Sequence, residues 1–169
     1  MSDFLDAVFK PRSIAVIGAS RRPGTVGYAV VANLLKYGFQ GVVYPVNPGA
    51  RSVHSIPAYP SITDVPGGVD LAIIVVPKDL VLDVARDCGA KGVKGLLVIT
   101  AGFKEVGGEG VEREKALMEV VKEYEMRLVG PNCMGILNSD PEWSMNATFA
   151  PTMPPLVARP FSANPAPSG

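Results

Sequence analysis

Residues 16–27 read VIGASRRPGTVG, and their types are those that hold phosphate. An apolar run enters Gly18, then Ala19 and Ser20, and a second set, Gly24, Thr25, Val26 and Gly27, opens a helical pattern. The free N–H groups and dipole at a helix start favour an anion. Gly24 and Gly27 allow close backbone approach, and Arg21 and Arg22 add positive charge. The chemistry implied is the grip of a phosphorylated ligand rather than the making of a bond.

The spacing tests which ligand. A dinucleotide fingerprint needs G-x-G-x-x-G and an acid about 20 residues on for the ribose hydroxyls. Here Gly18 is followed by Ala19-Ser20, and the next glycines are Gly24 and Gly27, so the loop is longer than the fingerprint. Asn47-Pro48 stands where the acid would be, and Arg51 follows. A cation there suits a ribose that carries a phosphate. The 3′-phosphate of CoA and the 2′-phosphate of NADP both fit that description.

Other reactive residues read as structure. A nucleophilic Cys133 would need a base within reach, and the chain has one histidine, His54, in a Pro/Ser-rich connection. Cys133 reads as a small packing residue, Cys88 as core, and His54 as surface. Glu105, Glu109, Glu112 and Glu114 read as a solvated face, with Lys104, Arg113 and Lys115 among them. Two distant cysteines and one histidine make neither a structural disulfide nor a zinc signature. Formal net charge is zero, with no long basic run, so no nucleic-acid footprint is expected. The longest apolar stretch, Leu71 to Pro77, is too short to cross a bilayer, and residues 1–13 do not read as a signal peptide. The expected location is cytoplasmic.

The elements that must position the loop alternate. SIAVIG (13–18), GVVYPVNP (41–48), VDLAIIVVP (69–77), VKGLLVITAGF (93–103) and MRLVGPN (126–132) read as short buried strands. Residues 26–38, 78–92 and 109–124 read as amphipathic helices between them. Residues 49–68 form a long connection, and beyond Gly135 the pattern weakens, leaving Trp143 and Met145 unassigned. The fold class is therefore α/β, a Rossmann-like doubly wound domain. Its sheet is mostly parallel, five-stranded or slightly larger, with helices on both faces. Ligands of such sheets bind beyond the carboxyl ends of the strands. Those ends are GAS, NPG, VPK, TAGF and GPNC, all small, polar or proline-containing.

These segments carry a resemblance. FKPRSIAVIGAS, PGTVG, GFQGVVYPVNP, YPSITDVPGGVDLAIIVVP, CGAKGVKGLLVITAGF, RLVGPNCMGILN and NATFAP are similar to the N-terminal CoA-binding domain of NDP-forming acyl-CoA synthetases. That superfamily includes the succinyl-CoA synthetase alpha subunit and ADP-forming acetate–CoA ligases. The likeness covers about residues 8–155, and VITAGF and GPNCMG are its most specific parts. It implies a CoA site in five parts. Gly18, Ala19, Ser20, Thr25, Val26 and Gly27 would cradle the phosphates. Asn47, Pro48 and Arg51 would lie at the adenosine end, with Arg51 toward a CoA phosphate, and Val76 and Pro77 would flank the adenine. Thr100, Ala101 and Gly102 would follow the pantetheine arm, and Asn132 and Cys133 would approach the thiol. The succinyl-CoA synthetase branch carries a glutamate near position 101, so Ala101 sides with the acetate–CoA ligase branch.

The resemblance also implies what the domain would need. In the family an acid is joined to CoA through acyl phosphate and phosphohistidine, which lie with other domains or subunits. This chain shows no phosphohistidine domain or ATP-grasp module, so alone it is expected to bind CoA or acyl-CoA without catalysis. A standalone CoA- or nucleotide-sensing module and an NADP-dependent reductase are the alternatives. The domain is expected to span 1–155, with 156–169 an irregular tail. Leu156 to Gly169 can be back-translated so that dropping two bases reads Gly-Arg-Ala-Ala-Phe-Leu-Ser-Gln-Ser-Gly-Ala-Leu-Gly. That resembles the opening of the family's second domain, and the tail is expected to be a poorly ordered frameshift product.

Overall fold

The computed structural model describes residues 5–152, so the expectations for the tail lie outside the described residues. A short helix α1 (Asp6–Phe9) leads into β1 (Ser13–Ile17), and then α2 (Val26–Lys36) and β2 (Val42–Val46) follow. A small antiparallel pair, β3 (Ser52–Val53) and β4 (Ile56–Pro57), interrupts the long connection. The chain continues through β5 (Leu71–Ile74), α3 (Val81–Lys91), β6 (Gly95–Val98), α4 (Glu109–Glu123) and β7 (Arg127–Val129). The last elements among the described residues form a hairpin, β8 (Gly135–Asn138) and β9 (Met145–Thr148).

The main sheet has five parallel strands in the order β2-β1-β5-β6-β7. The winding reverses between β1 and β5, which makes that gap the topological switch point. Ile17 pairs with Val46 and Ile74, Ile74 with Val98, and Leu97 with Val129. All five strand exits therefore come out almost level along one crest. Asp70 sets the opposite end. Its carboxylate accepts the N–H groups of Arg12 (2.8 Å) and Ser13 (3.2 Å), joining the entries of β1 and β5.

Alternation along each strand divides the core into two layers. Ile14, Val16, Leu71, Ile73 and Leu97 face α2, with Val8 of α1 and Ile136, Met145 and Ala147 of the β8–β9 hairpin. Ala15, Ile17, Ala72, Ile74, Leu96 and Val98 face α3 and α4, with Cys88, Leu117 and Val121. Each fully buried valine, leucine or isoleucine among them contributes about 1.5–3 kcal/mol. Gly92, at φ +86°, ends α3 in a left-handed cap. Among the described residues no helix is long and apolar enough to cross a membrane.

The hairpin is the element that the periodicity does not announce. It covers the sheet face beside α2, and Met145 is fully buried there while Trp143 offers its carbonyl to the Gln40 N–H (3.2 Å). Asn33 fastens it. From α2, its Nδ2 donates to the carbonyls of Thr148 and Ala150, both at 2.8 Å, and only 7% of the residue is exposed. Asn33→Ala strands both acceptors and is expected to lower the unfolding free energy by about 1–3 kcal/mol. Urea unfolding monitored by circular dichroism checks this, with an unchanged m-value expected.

Candidate functional site

The exit of β1 and the start of α2 meet at van der Waals limits. A Cβ on Gly27 would lie 2.0 Å from the Gly18 carbonyl oxygen. Gly27 is therefore required by the approach of helix to strand. Gly24 has φ +83° and nothing within 4 Å of its Cβ position, so it serves the turn and leaves open space. Gly18 itself, at φ +95°, turns the chain out of the sheet while its N–H stays on the Val46 carbonyl (3.0 Å).

The loop between them is fixed by its own hydroxyls. Ser20 Oγ accepts the Arg22 N–H (3.0 Å), and Thr25 Oγ1 donates to the Arg22 carbonyl (2.8 Å). Thr25 is also the N-cap of α2, taking the Tyr28 N–H at 3.3 Å. The N–H groups of Val26 and Gly27 have no acceptor within the helix and sit at its positive end. Ala19 is buried, and Arg21 and Arg22 are exposed.

Asn47 ties the exit of β2 to this loop. Its Nδ2 donates to the Ala19 carbonyl and its Oδ1 accepts the Gly49 N–H, both at 2.7 Å. Both ends of the amide are thus used within the protein. Pro48 is exposed beside it. Arg51 is exposed just before β3, and its carbonyl accepts the Ala58 N–H (3.0 Å).

A cleft of about 260 Å³ opens at the switch point. Gly18, Asn47, Pro48 and Val76 line it, so four of the residues expected at the site share one cavity. Pro60, Ser61, Ile62, Leu80, Val84 and Asp87 line it as well, and none of these was expected. The residue spacing of Leu80, Val84 and Cys88 suggests one buried helical stripe, and the structure splits it. Cys88 is fully buried, whereas Leu80 remains 50% exposed at the cleft. A leucine following the strand-end segment VPK is the signal that could have marked it. Segment 60–62 lies in the long connection and carried no such signal.

The remaining expected residues lie further along the crest. Pro77 is exposed at the exit of β5. Thr100 Oγ1 donates to the Val76 carbonyl (2.7 Å), and the Asn132 N–H reaches the Thr100 carbonyl (3.1 Å). Between these ties Ala101 is exposed, with Gly102 beside it at φ +103°. Asn132 is exposed at φ +55°, after a cis Gly130-Pro131 bond. Cys133 is half-buried, with its thiol toward the Val98 carbonyl (3.4 Å). Desolvation pushes that thiol above its ordinary range, and burial pushes Cys88 up to about 12.

Two residues read from sequence as surface make specific contacts. His54 lies against Tyr28, ring centroids 4.3 Å apart, with Nε2 at 3.2 Å from the Tyr28 carbonyl. It packs the β3–β4 turn onto the first turn of α2. Glu105 lies outside α4 and accepts backbone N–H groups at the exit of β6, at 2.5 Å from Gly102 and 3.2 Å from Phe103. Glu114, on α4, accepts the Lys104 N–H (3.1 Å).

Fold and site together define a doubly wound α/β domain with an apolar cleft beside an anion-attracting helix start. Residues 12–139 match the family described as CoA binding domain, and the chain belongs to that family. The resemblance drawn from the sequence is borne out. The chain is 52% identical over 145 residues to the alpha subunit of ADP-forming acetate–CoA ligase II of Pyrococcus furiosus, covering 86% of this chain and 31% of that protein. It is 46% identical over 147 residues to the ADP-forming 4-hydroxybutyrate–CoA ligase of Nitrosopumilus maritimus, covering 87% and 21%. A solved structure of the dinucleotide-forming acetyl-coenzyme A synthetase 1 of Ca. Korarchaeum cryptofilum, in complex with phosphate and ADP, superposes with a TM-score of 0.82 at 47% identity, covering 89% and 32%. The chain thus spans about a fifth to a third of the length of these relatives.

Two measurements check the geometry. Gly27→Ala is expected to destabilise by about 3 kcal/mol, because its methyl group meets a backbone carbonyl that cannot rotate away. Gly24→Ala meets no atom and costs only the left-handed backbone, about 1–2 kcal/mol. Their melting temperatures should therefore fall in that order. Alkylation with iodoacetamide tests the thiols, since the thiolate is the reacting form. A raised pKa means less thiolate at any given pH. Cys133 should react slowly at pH 7, and its rate should still be rising at pH 9, where an ordinary thiol is already levelling off. Cys88 should react only after unfolding.

Proposed function

We propose that this chain binds CoA or acyl-CoA along the crest of its sheet, as the CoA-binding part of an NDP-forming acyl-CoA synthetase. The observation that carries the reading is Asn47, whose amide is spent on the Ala19 carbonyl and the Gly49 N–H. A dinucleotide site of this fold places a carboxylate there for the ribose hydroxyls. Here the position carries no charge, and its amide is already committed to the loop through one bond at each end, while Arg51 follows at the surface. A ribose bearing its own phosphate suits that arrangement. Family membership then favours the 3′-phosphate of CoA over the 2′-phosphate of NADP.

On this reading the start of α2, with Gly18, Ala19, Ser20, Thr25, Val26 and Gly27, faces the pyrophosphate. Asn47, Pro48 and Arg51 border the adenosine, and Val76 and Pro77 flank the adenine at the cleft. Thr100, Ala101 and Gly102 run beside the pantetheine arm, which leads to Asn132 and Cys133. In the complete enzyme a phosphoryl group from a nucleoside triphosphate, relayed by phosphohistidine with release of the diphosphate, would convert the acid to an acyl phosphate. The CoA sulfur, losing its proton, would then take the acyl group and release phosphate. The partners that supply that chemistry are further synthetase domains or subunits, as in the relatives, which extend well beyond the matched part.

Titration calorimetry with CoA, NADH and NADPH tests the reading. CoA is expected to bind at sub-millimolar concentration and both nicotinamide cofactors to bind at least tenfold more weakly. Clear binding of NADPH without CoA would overturn it.

A further inference from the structure

The exit of β6 is held by two charged side chains that the site reading does not use. The Glu105 carboxylate accepts the N–H groups of Gly102 (2.5 Å) and Phe103 (3.2 Å). From α4, the Arg113 guanidinium donates to the Gly102 carbonyl. Gly102 is thus gripped at its N–H by an anion and at its C=O by a cation. Both are charge-assisted bonds, roughly twice as strong as neutral ones. Arg113 is itself well seated: its side chain is 14% exposed, it lies 3.6 Å from Asp79, and it sits 6.0 Å from the centre of the Phe103 ring.

The other side of the segment is tied as firmly. Thr100 bonds to Val76 through its hydroxyl and to Asn132 through its carbonyl. Ala101 alone stands exposed between two anchored neighbours. Phe103 anchors the turn in the core, whereas Glu105 and Ala101 are both exposed, so the Glu105 bonds act at the surface of the rim. Its effect is to hold the backbone groups of residues 100–102 in one set direction at the rim. A bound chain with amide groups would meet a strip whose ordering cost is already met.

We propose that Glu105 and Arg113 are positioning residues that shape the Thr100–Gly102 strip for the amide-bearing arm of CoA, without touching the ligand. The inference rests on the CoA reading above. It separates the arm from the nucleotide, because the adenosine end lies at the switch point and the strip lies at the exit of β6. The lowered pKa of Glu105, due first to the Gly102 N–H, agrees with a carboxylate that stays ionised in this role. Lys78 and Arg113 lie against Gly102, Asp79 lies beside Arg113, and Glu114 takes the Lys104 N–H.

The test compares CoA with adenosine 3′,5′-bisphosphate, which lacks the arm, by calorimetry on the full chain. Glu105→Ala is expected to weaken CoA about tenfold, Glu105→Gln about threefold since the amide oxygen still accepts, and Arg113→Ala about tenfold. All three should bind the bisphosphate within twofold of the unaltered chain. Amide exchange gives a second readout, with Gly102 and Phe103 losing protection in Glu105→Ala even without ligand. The inference is overturned if CoA binding stays within twofold in Glu105→Ala, or if both ligands weaken together. Should the unaltered chain bind neither ligand, the CoA reading itself falls, and this inference with it.

Discussion

The structure turns on the contact between the Gly18 carbonyl and the first turn of α2. A helix that begins this close to a strand exit can aim its unpaired N–H groups at whatever lies over the crest. Any side chain at residue 27 would push it away, because the Cβ position is already filled by the carbonyl oxygen. The loop from Ala19 to Thr25 is then free to be long, since the helix is placed by packing rather than by loop length. Its own hydroxyl bonds, from Ser20 and Thr25, hold the extra residues in a turn.

Along the crest the same device repeats. Each strand exit is tied to its neighbour by a bond between a polar group and a backbone carbonyl or N–H. Asn47 joins β2 to β1, Thr100 joins β6 to β5, and the Asn132 N–H joins β7 to β6. Parallel strands whose ends fray would present mobile backbone to a ligand, and ordering it on binding would cost affinity. The ties act on the residues just past the ladder, where the sheet's own hydrogen bonds have stopped. Their cost is local: Gly18 and Gly102 must adopt positive φ, and Asn132 does so as well.

Much of this was legible because it has a period or a punctuation. The five strands are short apolar runs that end in Gly or Pro, and α2, α3 and α4 show helical spacing. The crest was legible because strand ends, once ordered, must converge. The parts that escaped have neither signal. The β8–β9 hairpin is four residues on each side and mixes Asn and Thr with Met and Ala, so no alternation stands out. It is held by Asn33, a polar residue inside an otherwise apolar helix face. Glu105 looked like one more acid in a charged stretch, and only the path of the backbone shows that it turns back on Gly102. His54 was hidden for a similar reason, since its partner Tyr28 is 26 residues away.

The electrostatics of the crest suit holding rather than reacting. A reactive cysteine needs a cation or a base beside it to favour the thiolate. Cys133 is partly desolvated, and this outweighs the opposing backbone bonds at Gly135 and Cys133, so the protonated thiol is favoured. The single histidine is engaged with Tyr28 on another part of the molecule. If an acyl thioester rests along this crest, as proposed, a thiolate close to its carbonyl would compete for the acyl group. A thiol kept protonated by burial does not compete, so a cysteine can fill that space without consuming the product. The same reasoning explains why charge is used freely at Glu105 and Arg113. There it is spent on backbone amides, which it orients but cannot transform.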